Sequence, residues 1–107
     1  MRLLELYMNI DFTAMAGNVE QAEQLLKILA NKNRLMILCS LQDTEMSVTQ
    51  LNEAVPLAQS ALSQHLAALR KTNIVATRRE GQTIYYRVID QNAIHLLGTL
   101  YGLFCKG

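Results

Sequence analysis

Residues 59–88 read QSALSQHLAALRKTNIVATRREGQTIYYRV, and this stretch decides the fold. Ala61, Leu62, Leu66 and Leu69 recur at helical spacing, so the chain from Ala58 to Lys71 is expected to form a helix with one buried stripe. Its other face carries Gln59, Ser60, Ser63 and Gln64, which are short hydrogen-bonding side chains and not long charges. Asn73 is a turn residue. Ile74–Arg79 and Thr83–Val88 then read as strands, with Ile84, Tyr86 and Val88 alternating with Tyr85 and Arg87. Glu80-Gly81-Gln82 joins them, and Gly81 can take the positive φ of a tight hairpin.

Upstream, Ser47-Val48-Thr49-Gln50 reads as a capping box opening a third helix, with Leu51, Ala54 and Val55 inward and Pro56 stopping it. The short PLAQ connection then suits a helix-turn-helix. Asn31 or Asn33 caps a second helix carrying Leu35, Leu38, Cys39 and Leu41, which ends near Gln42-Asp43. A first helix starts at Asn18, with Ala22, Leu25, Leu26 and Leu29 on one face. Residues 1–17 are weakly patterned and read as a helical arm or a partly ordered tail, whose Leu3, Leu4, Tyr7 and Met8 fit packing on a partner subunit. Downstream, Asp90 caps a last helix. Ile94, Leu97, Tyr101 and Phe104 share one face there, while Leu96, Leu100 and Leu103 line another. A helix apolar this far around implies a second buried surface, read as a subunit interface.

The expected architecture is therefore mainly α with a small β-hairpin. It is a winged helix-turn-helix of four helices, two strands and a fifth helix, spanning residues 18–107 after the arm. At 107 residues with half of them apolar, the chain is one domain with a modest core, and dimerisation would help it. MRLLELYMNI is too short for a secretory signal and carries Glu5. No apolar run approaches the ~20 residues of a membrane span. The expected location is the bacterial cytoplasm, at the nucleoid and away from any membrane, where thiols stay reduced.

The net charge is only +1, but its distribution is uneven. Residues 70–87 hold Arg70, Lys71, Arg78, Arg79 and Arg87 against Glu80 alone, while residues 1–69 carry an acidic excess. Basic charge concentrated on a hairpin points to a phosphate-facing surface. In a helix-turn-helix, the second helix enters the major groove and its N-terminal residues touch base edges. Gln59, Ser60, Ser63 and Gln64 are the candidates, since Gln pairs bidentately with adenine and Ser serves bases or phosphates. His65 has two readings, a phosphate contact or packing beneath the helix. Arg78, Arg79 and Gln82 would form the wing, giving affinity through phosphates or a narrow minor groove.

LLKILANKNRLMILCSL, SVTQLNEAVPLAQSALSQHLAALRKTNIV and TRREGQTIYYRV, in that order, resemble the ArsR/SmtB family of bacterial winged-helix repressors. The resemblance runs from about Asn18 to Cys105. It implies a homodimer on double-stranded DNA with an inverted-repeat operator, held together by its first and last helices. The metal sites of that family do not carry over. SVTQLNE lacks the cysteine run of one type; in the other, Asp90 matches, but Asn92, Leu103 and Lys106 stand at ligand positions. His95 and Cys105 are ten residues apart on one helix, about 15 Å by rise, so one zinc cannot join them within a subunit. No metal or other cofactor is expected.

Cys39 and Cys105 remain. A cysteine in an apolar helix is most often a small buried hydrophobe, and one near the end of a chain often means little. The resemblance gives them another role, because the HlyU/BigR/SqrR branch of the family keeps one cysteine on the second helix and one near the end of the last. That branch implies a dithiol sensor of reactive sulfur or oxidants, with DNA release on linking Cys39 to Cys105. The expected function is thus a thiol-responsive transcriptional repressor and not an enzyme: no CxxC, nucleotide loop or Ser/His/Asp arrangement is present. The alternatives are an anti-silencer, a sensor of thiophilic metal or metalloid, and an interaction module that leaves DNA alone.

Overall fold

A computed structural model describes residues 11–105 of the chain. In order these are α1 (Phe12–Leu29), α2 (Lys32–Ser40), β1 (Met46–Ser47), α3 (Val48–Ala54), α4 (Gln59–Lys71), β2 (Val75–Glu80), β3 (Thr83–Val88) and α5 (Gln91–Phe104). Five helices and a small antiparallel hairpin make up the expected winged helix-turn-helix.

The helix starts follow side-chain capping, in which a short polar side chain satisfies amides that the first turn leaves unpaired. Asn31 accepts from the Asn33 and Arg34 N–H groups, both at 3.0 Å. Ser47 and Gln50 close the capping box in both directions. Asp90 accepts from the Ala93 N–H at 2.8 Å. Asp11 does the same for α1, which therefore begins at Phe12, earlier than the Asn18 start read from periodicity. Of the arm, residues 1–10 lie outside the described residues, and 12–17 run continuously into α1.

The core is one cluster of aliphatic side chains, and its largest members are Ile37, Leu38, Leu41, Leu51, Leu62, Leu66, Leu69 and Leu97. Burying each stabilises the fold by roughly 1.5–3 kcal/mol. The α4 stripe is as expected, with Ala61 half-buried at its edge. Other inward assignments shift. On α1 only Leu29 is buried, while Leu25 and Ile28 are half-buried and Ala22 and Leu26 are exposed. Ile37 takes the core position on α2 while Cys39 is exposed, and Ala54 is exposed on α3. On α5, Ala93 and Leu97 reach the core, but Tyr101 and Phe104 do not.

The sheet has three strands in the order β1-β3-β2, all antiparallel. The short β1, pairing Met46 with Tyr86 and Ser47 with Tyr85, has no period-2 signature, being two residues long. Glu80 pairs with Thr83, so the wing turns on two residues, Gly81-Gln82, and not three. Gly81 takes φ +63°, as the first position of a type II′ loop requires. Asn73 (φ 62°) and Asp43 (φ 64°) supply the left-handed turns after α4 and α2.

Candidate nucleic-acid interface

The connection from α3 to α4 is short because Pro56 follows the α3 C-cap Val55 directly. The Asn52 side-chain amide on α3 donates to the Leu57 carbonyl at 2.7 Å and ties the turn down. That turn fixes α4 against α3 and presents its start outward. Gln59, Ser60, Ser63 and Gln64 are all exposed, and Ala67 extends the same stripe. The four polar residues sought in the sequence thus share one outward face, opposite Leu62, Leu66 and Leu69. His65 is half-buried at its flank.

The start of α4 differs from the other four helix starts. Its N-cap is Ala58, and no side chain satisfies its first amides. The backbone N–H groups of the first turn therefore remain as donors at the positive end of the helix dipole, which suits a phosphate oxygen. An alanine at the N-cap, where Asp, Asn and Ser stand elsewhere, is the sequence signal that could have revealed this.

In the wing, Arg79 and Gln82 are exposed, and no carboxylate pairs with Arg79 among the described residues. Arg78 is differently placed. Its Nε donates to both Glu45 carboxylate oxygens, at 3.1 and 3.3 Å, and its Nη2 donates to Oε1. Its Nη1 donates to Glu80 at 2.7 Å, and the guanidinium stacks 4.7 Å over the Tyr85 ring. The hydrogen bond from Arg78 holds the Glu45 carboxyl below the usual carboxylate range, while the two carboxylates push Arg78 up. Arg70 and Lys71 close the last turn of α4, where they complement its dipole. The basic excess of residues 70–87 is therefore partly used inside the protein.

Cys39 lies in the last turn of α2 and Cys105 is the C-cap of α5; both are free and exposed. Partial burial pushes the Cys39 thiol up, with a smaller contribution from the charge of Cys105. Among the described residues no three His, Cys, Asp or Glu side chains gather as a metal site. None of the described helices is long and apolar enough to cross a membrane.

Residues 31–77, from the α2 cap to the start of the wing, match the bacterial regulatory protein arsR family. The chain is 45% identical over 92 residues to the transcriptional activator HlyU of Vibrio cholerae, covering 86% of this chain and 85% of that protein. This chain belongs to the ArsR family. The crystal structure of the HlyU regulator from Vibrio vulnificus is similar at 43% identity and a TM-score of 0.83, covering 90% of this chain and 100% of that one. The repressor BigR from Xylella fastidiosa is similar at 36% identity and a TM-score of 0.84, covering 90% and 98%. These relatives are transcriptional regulators, so the chain is a member of a DNA-binding regulator family and a structural neighbour of its HlyU/BigR branch.

Proposed function

We propose that the protein is a homodimeric repressor, acting in the bacterial cytoplasm, that releases its operator when Cys39 and Cys105 become linked. Two copies set their α4 helices into successive major grooves of an inverted repeat. Gln59, Ser60, Ser63 and Gln64 read bases, the uncapped start of α4 and Arg79 with Gln82 meet backbone, and His65 supports the helix or reaches a phosphate. The exposed apolar residues on α1 and α5, Phe12, Met15, Val19 and Leu26 with Tyr101, Leu103 and Phe104, support a dimer through those helices.

The observation that supports the sensing half is a pair of free, exposed thiols, Cys39 in the last turn of α2 and Cys105 at the end of α5. One thiolate takes a sulfane sulfur from a polysulfide and becomes a persulfide. The second thiolate attacks the inner sulfur, expels hydrosulfide and leaves a disulfide. A peroxide gives the same product through a sulfenic acid, with loss of water. Linking the end of α5 to α2 alters the dimer and the spacing of its two α4 helices, and both half-sites no longer fit together. One relative is named an activator, which favours a second reading, relief of silencing by displacement of another DNA-bound protein.

The test is operator binding by reduced protein and again after polysulfide, peroxide or diamide, with intact mass measured in parallel. Affinity is expected to fall in step with the linked fraction. Unchanged affinity in a fully linked sample, or a Cys39→Ser variant that still responds, sinks the sensing reading.

A further inference from the structure

The wing projects past its own support. β1 pairs only with Tyr85 and Tyr86 of β3, so beyond that point β2 and β3 continue as a two-stranded ribbon ending at Gly81-Gln82. An isolated two-stranded ribbon is marginal in water. Among the described residues, Arg78 is the ribbon side chain that hydrogen-bonds to the body of the domain. It sits opposite Tyr85, which in turn pairs with Ser47, and Glu45 lies two residues before Ser47. Glu45 ends the segment leaving α2, and residues 41–45 of that segment line a cleft with Ile94 and Leu97 of α5. The partners are 33 residues apart in the chain, yet they share three hydrogen bonds.

We infer that Glu45 and Arg78 form a clamp that sets the angle of the wing, and that Arg78 serves DNA binding through this position and not as a phosphate ligand. This rests on the DNA-binding reading. A guanidinium that turned to a phosphate would give up a bidentate carboxylate and leave Glu45 unneutralised beside a polyanion. The Arg fork matches carboxylate and phosphate alike, but here its donors are already engaged by Glu45 and Glu80 and its plane by the Tyr85 ring. Arg79 and Gln82, beyond the clamp, are then the wing residues that face DNA.

Glu45→Gln separates the two roles by sign. If Arg78 were a phosphate ligand, removing the carboxylate would free it and remove a repulsive charge, and binding to a mixed-sequence duplex would tighten. The clamp predicts the opposite, a loss of roughly two- to fivefold, the scale of a surface ion pair. Arg78→Gln should weaken binding similarly while leaving the slope of log affinity against log salt unchanged, whereas a lost phosphate contact lowers that slope by about 0.9. The double variant should cost no more than either single one. Amide hydrogen exchange supplies an arm without DNA: Glu45→Gln should speed exchange at Arg79–Thr83 and leave the α4 core amides unchanged. Tighter binding by Glu45→Gln, a reduced slope in Arg78→Gln or unaltered wing exchange overturns the clamp. Failure of the wild type to bind any duplex, with wing exchange still accelerated, instead overturns the DNA-binding reading.

Discussion

The middle of the chain and its two ends solve the burial problem differently. From α3 through the wing, apolar residues that point inward are covered: Leu51, Val55, Leu62, Leu66, Leu69, Ile74 and Val75 are all buried. The ends are unfinished. Phe12 is 81% exposed and Phe104 80%, and Met15, Val19, Leu26, Tyr101 and Leu103 accompany them on α1 and α5. The exposed α1 residues recur every three, four and seven positions, so they make one stripe. The surface of α4 and the wing thus rests on a core completed within one copy, while the ends leave apolar surface uncovered, which under the proposed function a second copy would cover.

The sharpest way to break that contrast is to spoil the ends alone. Leu103→Asp combined with Phe104→Ala should leave the helical content intact but yield monomers by sedimentation, with operator affinity down by roughly 10²–10⁴-fold as the second half-site is lost. Unaltered dimers would sink the interface. Leu62→Ala tests the middle: unfolding free energy should fall by about 2–5 kcal/mol in denaturant melts, as for other buried leucines. The lost core contacts lie within one copy, so the drop should be similar across protein concentrations.

Smaller effects refine the picture of the reading surface. Gln64→Ala should cost about 1–3 kcal/mol against the preferred operator and much less against random duplex, a difference that competition binding reads. Arg79→Ala should weaken binding to all sequences alike and lower the salt slope by about 0.9. The smallest change concerns the thiols. Because burial, then Cys105, raises the Cys39 pKa, Cys39 is mainly protonated at neutral pH and its thiolate grows only as pH rises toward that raised value. Alkylation of Cys39 should therefore accelerate with pH, and at alkaline pH, where a charge on Cys105 opposes the Cys39 thiolate, it should run faster in a Cys105→Ser variant than in wild type. An equal rate in both proteins would remove the coupling between the thiols.

Much of the fold was legible because its causes are local. Ser47 and Asp90 cap the helices they were expected to cap, and Asn31 is the one of the two expected asparagines that caps α2, since each bonds amides two or three residues away. Leu62, Leu66 and Leu69 mark their buried face by spacing alone, and Gly81 marks the wing by its conformational freedom. The outward stripe from Gln59 to Gln64 follows from the same period. Those features were fixed by sequence, as they depend on contacts between near neighbours in the chain. Tertiary structure decided the rest. β1 exists only because β3 returns beside it, and Cys39 is exposed because Ile37 and Leu38 take the core side of α2. Arg78, which looks in the sequence like half of a basic pair, is committed to a carboxylate 33 residues earlier. No local pattern encodes that partner, because a charge shows its sign in sequence, while what neutralises it depends on which distant segment the fold brings within reach.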